Sequence, residues 1–259
     1  MPAAAVNGQR IAYDDTGSGP AVVFSHGFFM DRSMFDPQVE ALSDDFRCIT
    51  VDARGFGETE SDGTPFTYWD LADDLVGLLD HLEIDTATLV GMSQGGFTSM
   101  RAALRHPSRV RALALIDTDA AFYDADTQAA YRAGKDALIQ NGWTPEYAGM
   151  MASILFGPSF DASAWIARWQ TNPPERFAES FENMITRDDI GPRLGEIVQP
   201  SIVLHGEFDT SIPLSSAEHL RDSMPGNVGL VVIPGAGHSA NVENPTATND
   251  ALRGFLEQI

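Results

Sequence analysis

The sequence predicts an α/β protein in which a mostly parallel sheet carries helices on both faces and the chain is interrupted by one helical insertion. Short apolar runs alternate with stretches of helical periodicity, which is typical of repeated strand–helix units. The strand candidates are apolar at nearly every position, as expected for strands that are buried on both faces. Residues 120–193 break the alternation, because they lack strand-like runs and are rich in Trp, Phe, Met and Ala.

Seven short apolar runs are the strand candidates. The first resembles one arm of a hairpin, since Asn7-Gly8 precedes it and the turn-forming segment 17–20 follows it. The others are separated by helical or turn-forming stretches. In chain order the predicted strands occupy residues 11–13, 21–25, 47–51, 86–90, 110–116, 201–205 and 228–233.

Two predicted helices carry clear boundary signals. Residues 68–82 place five leucines on one face at helical spacing, and Thr67 with Asp70 fits a capping box at the start. The last helix begins near Asn244-Pro245, with Asn as the N-cap and Pro in the first turn. The leucines of the first helix are Leu71, Leu75, Leu78, Leu79 and Leu82.

Composition restricts the class of protein and its partners. The 259 residues, 43% of them hydrophobic, suffice for one domain with a sizeable core. No stretch approaches the roughly 20 apolar residues of a membrane span, and residues 1–9 lack a secretory signal pattern, so a cytoplasmic protein is expected. The net charge of −21 opposes binding to nucleic acid and to anionic membranes. The single cysteine, Cys48, lies in an apolar run and is expected in the core.

The segment Gly91-Met92-Ser93-Gln94-Gly95-Gly96 stands between the strand candidate at 86–90 and a helical stretch at 97–106. A serine on such a tight strand-to-helix turn has its hydroxyl pushed into the open, and the flanking glycines avoid clashes of a Cβ in the crowded turn. The amides and the dipole of the following helix favour negative charge at that position. Since Gly-x-Ser-x-Gly also occurs in plain turns, the interpretation of Ser93 as a nucleophile depends on its partners.

A base and an acid are available after two other predicted strands. His238 ends the segment Gly235-Ala236-Gly237-His238, which follows the strand at 228–233, and Asp209 follows the strand at 201–205. All three candidates therefore lie at the carboxyl edge of the sheet, where open α/β sheets place their sites. The chain order serine, acid, histidine is the order that accompanies a nucleophile elbow. These residue types predict acyl transfer, with His238 as base and Asp209 as the acid that orients it.

The predicted strand at 21–25 is followed by His26-Gly27-Phe28-Phe29. The tetrahedral intermediate of acyl transfer carries an oxyanion that needs two hydrogen-bond donors. The N–H of Gln94 follows the nucleophile and is one candidate, and the N–H of Phe28 is the second. Loss of one such donor typically costs about 3 kcal/mol of transition-state stabilisation.

Together these segments resemble the α/β-hydrolase family. The resemblance implies an eight-stranded, mostly parallel sheet, a core of residues 1–119 and 194–259, and a helical cap of residues 120–193. It also implies a Ser93 nucleophile, a His238 base, an Asp209 acid and an oxyanion hole made by the Phe28 and Gln94 amides. Within the family, small esterases, lactonases of the 3-oxoadipate enol-lactonase type and cofactor-free perhydrolases or haloperoxidases look most similar. The matching segments span most of the chain in the family's order: His26 to Phe28, residues 52–59, Gly91 to Gly96, residues 205–209 and Gly235 to His238.

Some of these assignments have rivals. Asp117 and Asp119 follow the strand at 110–116 and compete with Asp209 for the role of the acid, although the His-Gly-x-x-Asp turn favours Asp209. His26 and His205 are expected to be structural, with their rings bonded to nearby backbone. The remaining histidines are expected on solvated helix surfaces, at His81, His106 and His219.

The substrate pocket is expected from bulky side chains near the oxyanion hole and in the insertion. Phe29 flanks the hole beside Phe28 and is expected to wall the acyl site. Trp143, Met151 and Trp165 of the insertion are further candidates, although such residues more often belong to a core than to a substrate contact.

The sequence therefore predicts a serine hydrolase that cleaves a small carboxylic ester or lactone through an acyl-enzyme. The same triad would also fit a cofactor-free perhydrolase or haloperoxidase, or a hydrolase of carbon–carbon bonds, and a non-catalytic ligand receptor is the alternative from another class. No cofactor or metal is expected, because no nucleotide-binding glycine motif and no His-Glu-x-x-His pattern is present. Serine rather than aspartate at the elbow argues against dehalogenase and epoxide hydrolase relatives.

Overall fold

The structure, a computed structural model, describes residues 2–259, whose eight strands form one sheet in the order β1-β2-β4-β3-β5-β6-β7-β8. The β1–β2 and β2–β4 pairs are antiparallel, and all other neighbours are parallel, which confirms the predicted sheet. In chain order the strands are β1 (Ala3–Val6), β2 (Gln9–Thr16), β3 (Ala21–Ser25), β4 (Arg47–Val51), β5 (Ala87–Met92), β6 (Val110–Ile116), β7 (Ser201–Gly206) and β8 (Asn227–Ile233).

Helices cover both faces of the sheet, and no helix of residues 2–259 is long and apolar enough to cross a membrane. Short 3-10 helices lie at Arg32–Phe35, Pro174–Phe177 and Gly191–Glu196. The α-helices are α1 (Asp36–Leu42), α2 (Tyr68–His81), α3 (Gln94–Arg105), α4 (Ala125–Asn141), α5 (Pro145–Leu155), α6 (Ser163–Gln170), α7 (Ala178–Ile185), α8 (Leu214–Ser223), α9 (Ala240–Glu243) and α10 (Pro245–Leu256).

The central strands β3, β5 and β6 are mostly apolar because both of their faces are buried. In β3 the side chains of Val22 and Phe24 join one hydrophobic cluster, and Val23 joins the cluster on the opposite face. Strand β6 repeats the pattern, with Ala114 on the first face and Leu115 on the second. Successive side chains of a strand point to opposite faces, so every position of a doubly covered strand must be apolar.

The N-terminal hairpin is longer than the sequence predicted. Asn7 and Gly8 both have positive φ, at 48° and 79°, as required for the tight turn that joins antiparallel strands. Strand β1 pairs with β2 from Ala3↔Ala12 to Val6↔Gln9. Its sequence, three alanines and a valine, carries little strand propensity, which explains why the pattern of apolar residues missed it.

The predicted helix boundaries are confirmed by their capping bonds. The Thr67 side chain accepts from the Asp70 amide, and the Asp70 carboxylate accepts from the Thr67 amide at 2.7 Å. At α10 the Asn244 side chain accepts from the Ala247 amide at 3.2 Å. These bonds satisfy amides that the first turn of a helix leaves without a partner.

Residues 120–193 contain helices and no strand. This segment is hydrogen-bonded to loops of the sheet, since Arg176 Nε donates to Gly55 O at 3.0 Å and Leu155 O accepts from Ser239 Oγ at 2.8 Å. The segment therefore rests on the loops that follow β4 and β8. The division into a core of residues 1–119 and 194–259 and a cap of residues 120–193 stays a prediction.

Candidate active site

Ser93 stands at the junction of β5 and α3 with φ 49° and ψ −112°, a strained backbone for a residue with a side chain. The surrounding glycines are required by close packing. A Cβ on Gly91 would strike the Gly95 carbonyl, and a Cβ on Gly95 would strike the Ser25 carbonyl of β3. The crowding predicted for this turn is thus confirmed.

The strained turn is held by hydrogen bonds to β6 and the loop after it. The Ser93 amide donates to Ile116 O at 2.9 Å, and Thr118 Oγ1 donates to Ser93 O at 2.8 Å. Because the backbone of Ser93 is bonded on both sides, the position of its side chain is fixed by the sheet.

His238 lies in the loop after β8, and its Nδ1 is 2.8 Å from Asp209 Oδ2. The other carboxylate oxygen, Oδ1, accepts from the Ser211 amide at 2.7 Å and from the Ile212 amide at 3.0 Å. A carboxylate only accepts, so the proton lies on His238 Nδ1 and leaves Nε2 as an acceptor. The Asp209 side chain is fully buried, which keeps this pair out of water.

Ser93 and His238 both line one cavity of about 290 Å³ at the carboxyl edge of the sheet. Of the four predicted pocket residues, Phe29 and Met151 form part of its wall. The structure thus brings together at one site the serine, the histidine with its aspartate, and the loop that follows β3.

The other two predicted pocket residues require a correction, because Trp143 and Trp165 do not line the cavity. The Trp143 indole donates to Asn172 O at 3.1 Å and stacks on Trp169, with ring centroids 5.9 Å apart. The Arg168 guanidinium lies over the Trp165 ring, with its central carbon 4.9 Å from the ring centroid. Trp143 also packs against Phe29, with ring centroids 5.0 Å apart. Both tryptophans therefore have packing roles, which a sequence pattern does not distinguish from lining a pocket.

The amides of Phe28 and Gln94 belong to buried residues, and within residues 2–259 neither amide has a hydrogen-bond acceptor. Buried backbone N–H groups without a partner are rare in proteins. Since Gln94 begins α3, the positive end of the helix dipole adds to its amide. The two amides are therefore unpaired within the described chain, and their role as an oxyanion hole stays a prediction.

Trp169 is a residue of this site that sequence analysis missed. Its indole N–H donates to Phe29 O at 2.8 Å from a fully buried position in α6. Phe29 has a φ of 62°, which is strained for a bulky residue, and its ring contacts Phe177 and Phe181. The insertion therefore holds the loop that carries the Phe28 amide. No sequence signal marks this contact.

Asp117, a rival for the role of the acid, is occupied by backbone groups. Its Oδ1 accepts from the Gly206 amide at 2.7 Å and its Oδ2 accepts from the Ala240 amide at 3.1 Å. Complete burial, together with the nearby charge of Asp209, holds the pKa of Asp117 well above its usual range. Asp117 thus joins the end of β7 to the start of α9 rather than contacting His238.

Asp119, the second rival, forms an ion pair with Arg187 at 3.1 Å. Burial raises the pKa of Asp119, and the Arg187 charge opposes this rise. Of the three acids, Asp209 is the one hydrogen-bonded to His238 within the described chain.

His205, Asp117 and Asp209 form the one group of possible metal-ligating side chains within residues 2–259, with ligand atoms less than 4.8 Å apart. His205 Nδ1 lies 3.6 Å from Asp117 Oδ1, and Nε2 lies 4.0 Å from Asp209 Oδ2. Burial lowers the pKa of His205, so its ring is neutral. The carboxylate oxygens already accept from backbone amides and from His238, whereas the buried His205 Nδ1 has no hydrogen-bond partner among the described residues.

The remaining histidines lie outside the cavity wall. His26 has its Nδ1 2.8 Å from Gly27 O, and its Nε2 accepts from the Ala53 amide at 3.0 Å, which confirms the expected structural role. His81 and His219 are exposed, as expected, and His106 is partly exposed with its Nε2 2.7 Å from Asp73 Oδ1.

The fold and the strand-to-helix serine turn define an α/β hydrolase. The family profile described as alpha/beta hydrolase fold matches residues 20–245, and the chain belongs to this family. It is 29% identical to the 2-(acetamidomethylene)succinate hydrolase of Mesorhizobium japonicum, over 94% of this chain and 90% of that protein. It is 28% identical to 3-oxoadipate enol-lactonase 2 of Acinetobacter baylyi, over 93% of this chain and 90% of that protein. A thermophilic esterase from Thermogutta terrifontis superposes with a TM-score of 0.91 at 30% identity, over 99% of this chain and 98% of that one. These similarities indicate a hydrolytic enzyme.

Proposed function

We propose that this protein is a serine hydrolase that cleaves a carboxylic ester or lactone through a covalent acyl-enzyme. One observation carries the proposal. His238 is held through Nδ1 by Asp209 at 2.8 Å, and it shares the wall of one cavity with Ser93. A base with an acceptor nitrogen that shares a cavity with a serine hydroxyl is the arrangement that acyl transfer requires.

In the acylation step, His238 Nε2 takes the proton from Ser93 Oγ as the oxygen attacks the carbonyl carbon. The carbonyl oxygen becomes an oxyanion that accepts from the Phe28 and Gln94 amides. The imidazolium is stabilised by the Asp209 carboxylate, which does not itself take the proton. His238 then gives its proton to the leaving alcohol oxygen as the carbon–oxygen bond breaks, and the acyl group stays on Ser93.

In the deacylation step, water occupies the position that the alcohol has left. His238 Nε2 removes a proton from this water, whose oxygen attacks the acyl carbon. The second tetrahedral intermediate uses the same two amides. Its collapse returns the proton to Ser93 Oγ and releases the carboxylic acid, so the enzyme is unchanged after one turnover.

The relatives support ester-like substrates without selecting one. They are named for an enol-lactone and for a substituted succinate, and the similar solved structure is called an esterase. These names share hydrolysis and differ in the compound. The choice of substrate in this chain therefore has to come from its own cavity.

Labelling with a fluorophosphonate probe, alongside turnover of p-nitrophenyl butyrate, tests the proposal. Ser93→Ala is expected to abolish labelling and to lower turnover by about 10⁴-fold or more, with the fold intact by circular dichroism. Ser99→Ala is the matched control, since Ser99 Oγ lies in the same helix and donates to Gly95 O at 2.8 Å. Labelling that survives in Ser93→Ala, or wild-type protein that neither labels nor turns over, would contradict the triad.

A further inference from the structure

The wall of the cavity beside Ser93 holds no lysine, arginine, aspartate or glutamate among the described residues. Most of the wall is aromatic or aliphatic, with Phe97, Met151, Ile154 and Met184 as examples. Besides Ser93 and His238, its polar side chains are hydroxyl groups of tyrosines and a serine. A ligand in this cavity would therefore meet neutral groups and apolar surface.

Arg187 is a buried cation that packs against two rings of the cavity wall without being part of that wall. Its guanidinium lies 3.9 Å from the ring centroid of Tyr123 and 4.3 Å from that of Phe97, and both rings belong to the cavity wall. Its nitrogens donate to Ala121 O at 2.8 Å and to Asp119 at 3.1 Å. The charge is thus neutralised by Asp119 and separated from the cavity by two aromatic rings.

Two further cations lie on α4, the helix that contributes Tyr131 and Gly134 to the wall. Arg132 and Lys135 both pair with Glu182, at 3.3 and 2.9 Å, and neither lines the cavity. Arg132 and Lys135 thus share one acidic partner, and both lie outside the cavity wall.

The tyrosines report an environment of low polarity. Burial raises the pKa of Tyr147 to about 12, and burial also raises the pKa of Tyr131. Both hydroxyls are thus neutral at physiological pH. A carboxylate that entered this space would lose its hydration and find no cation in return, which disfavours binding strongly.

We propose, building on the serine hydrolase function above, that this site selects neutral apolar esters and rejects substrates that bring a carboxylate into the cavity. At about 290 Å³ the cavity lies at the small end of the range for ligand pockets, which is about 300–1,000 Å³. The substrate class is therefore a neutral ester or lactone with a short to medium apolar chain.

Three p-nitrophenyl esters with six-carbon acyl chains test this selectivity. They are p-nitrophenyl hexanoate, p-nitrophenyl methyl adipate, and mono-p-nitrophenyl adipate, which carries a free carboxylate. We expect the two neutral esters to have kcat/KM values at least about 100-fold above that of the charged one, because a buried charge without a partner is costly. A charged ester that reacts as fast as its methyl-capped counterpart would overturn the proposal.

A variant pair tests whether charge at the wall is the cause. Met150 lines the cavity and is 47% exposed, so a cation placed there can keep its hydration. The ratio of kcat/KM for the neutral ester to kcat/KM for the charged ester is expected to be about tenfold lower in Met150→Lys than in Met150→Gln. The lysine supplies the positive charge that the carboxylate otherwise lacks. An identical ratio in the two folded variants would show that wall charge does not govern the selection.

Binding separates this proposal from the proposed function. If the wild-type protein turns over none of the three esters, the serine hydrolase function fails, and titration calorimetry of the same esters with Ser93→Ala still tests the cavity. Binding of the neutral esters at least 30-fold tighter than the charged one would support the selectivity. Equal or reversed affinities would overturn it.

Discussion

The substitution Asp209→Asn is expected to move one proton of the His238 imidazole from Nδ1 to Nε2. In the structure Asp209 Oδ1 accepts from the Ser211 and Ile212 amides, while Oδ2 faces His238 Nδ1. Asparagine keeps one carbonyl oxygen, and the two amide donors hold that oxygen at the Oδ1 position. Its NH2 group is therefore turned toward His238 and donates to Nδ1. The imidazole then carries its proton on Nε2, where it no longer accepts the proton of Ser93.

The expected loss follows from this change of tautomer. An equivalent substitution in serine proteases lowers kcat by about 10⁴-fold, which corresponds to about 5.4 kcal/mol at 1.36 kcal/mol for each factor of ten. The fold should persist, because the two amide bonds to Oδ1 survive. The pKa of Asp117 should fall, because the charge of Asp209 is one of the causes that raise it.

The assay is kcat for p-nitrophenyl butyrate in wild type, Asp209→Asn and Asp119→Asn, with thermal unfolding as a check on folding. Asp119→Asn serves as the matched control, since its carboxylate pairs with Arg187 and not with His238. A kcat of Asp209→Asn within tenfold of the wild-type value would refute the reasoning. A loss of about 10⁴-fold in the kcat of Asp119→Asn would refute it as well.

Three further perturbations follow from other contacts. Trp169→Phe removes the bond to Phe29 O, and we expect kcat to fall by about tenfold with little change in KM, and the free energy of unfolding to fall by about 1–3 kcal/mol. Because the folded-state pKa of Asp117 lies above its ordinary 3.8, its contribution to stability is present below pH 4 and is lost as pH rises through the raised value. The unfolding free energy of wild type minus that of Asp117→Asn, measured by urea titration, should therefore decrease with rising pH. Gly95→Ala drives a Cβ into the Ser25 carbonyl, and we expect at least about 3 kcal/mol of destabilisation in thermal or urea unfolding.

Two of these perturbations have a control within the chain. Trp165→Phe removes an indole that packs beside Arg168 outside the cavity, so kcat should stay near the wild-type value. Gly149→Ala adds a Cβ in α5 where no atom lies within 4 Å, and it should be neutral or slightly stabilising. An unchanged kcat in Trp169→Phe would show that the bond from Trp169 to Phe29 O does not contribute to catalysis. If the difference in unfolding free energy between wild type and Asp117→Asn does not change with pH, the raised pKa of Asp117 is contradicted.

The central strands were predictable because burial on both faces leaves a continuous apolar run with turn residues at its ends. Strands β3, β4 and β6 begin and end where the sequence predicted. The edge strand β1 was missed, since an alanine-rich edge strand carries a weak pattern. Sequence patterns therefore predict best those strands that are buried on both faces along their whole length.

The parts of the site differ in the same way. Ser93, Asp209 and His238 each follow a strand, and a parallel sheet gathers such positions at one edge, so their proximity could be inferred from the sequence. The cavity wall depends on how helices of the insertion pack over that edge. The bond from Trp169 to Phe29 joins residues 140 positions apart, and no local pattern encodes it.

The bond between Trp169 and Phe29 O has a consequence for the history and the engineering of this chain. The loop that offers the Phe28 amide is held by a donor that belongs to the insertion. An insertion grafted from a relative would therefore replace part of the scaffold that shapes the reacting centre, together with the surface that recognises the substrate. Swapped insertions should recover full rates only when the new segment supplies an equivalent donor to the same carbonyl, so new specificities are expected to arise by small changes within the segment rather than by its exchange.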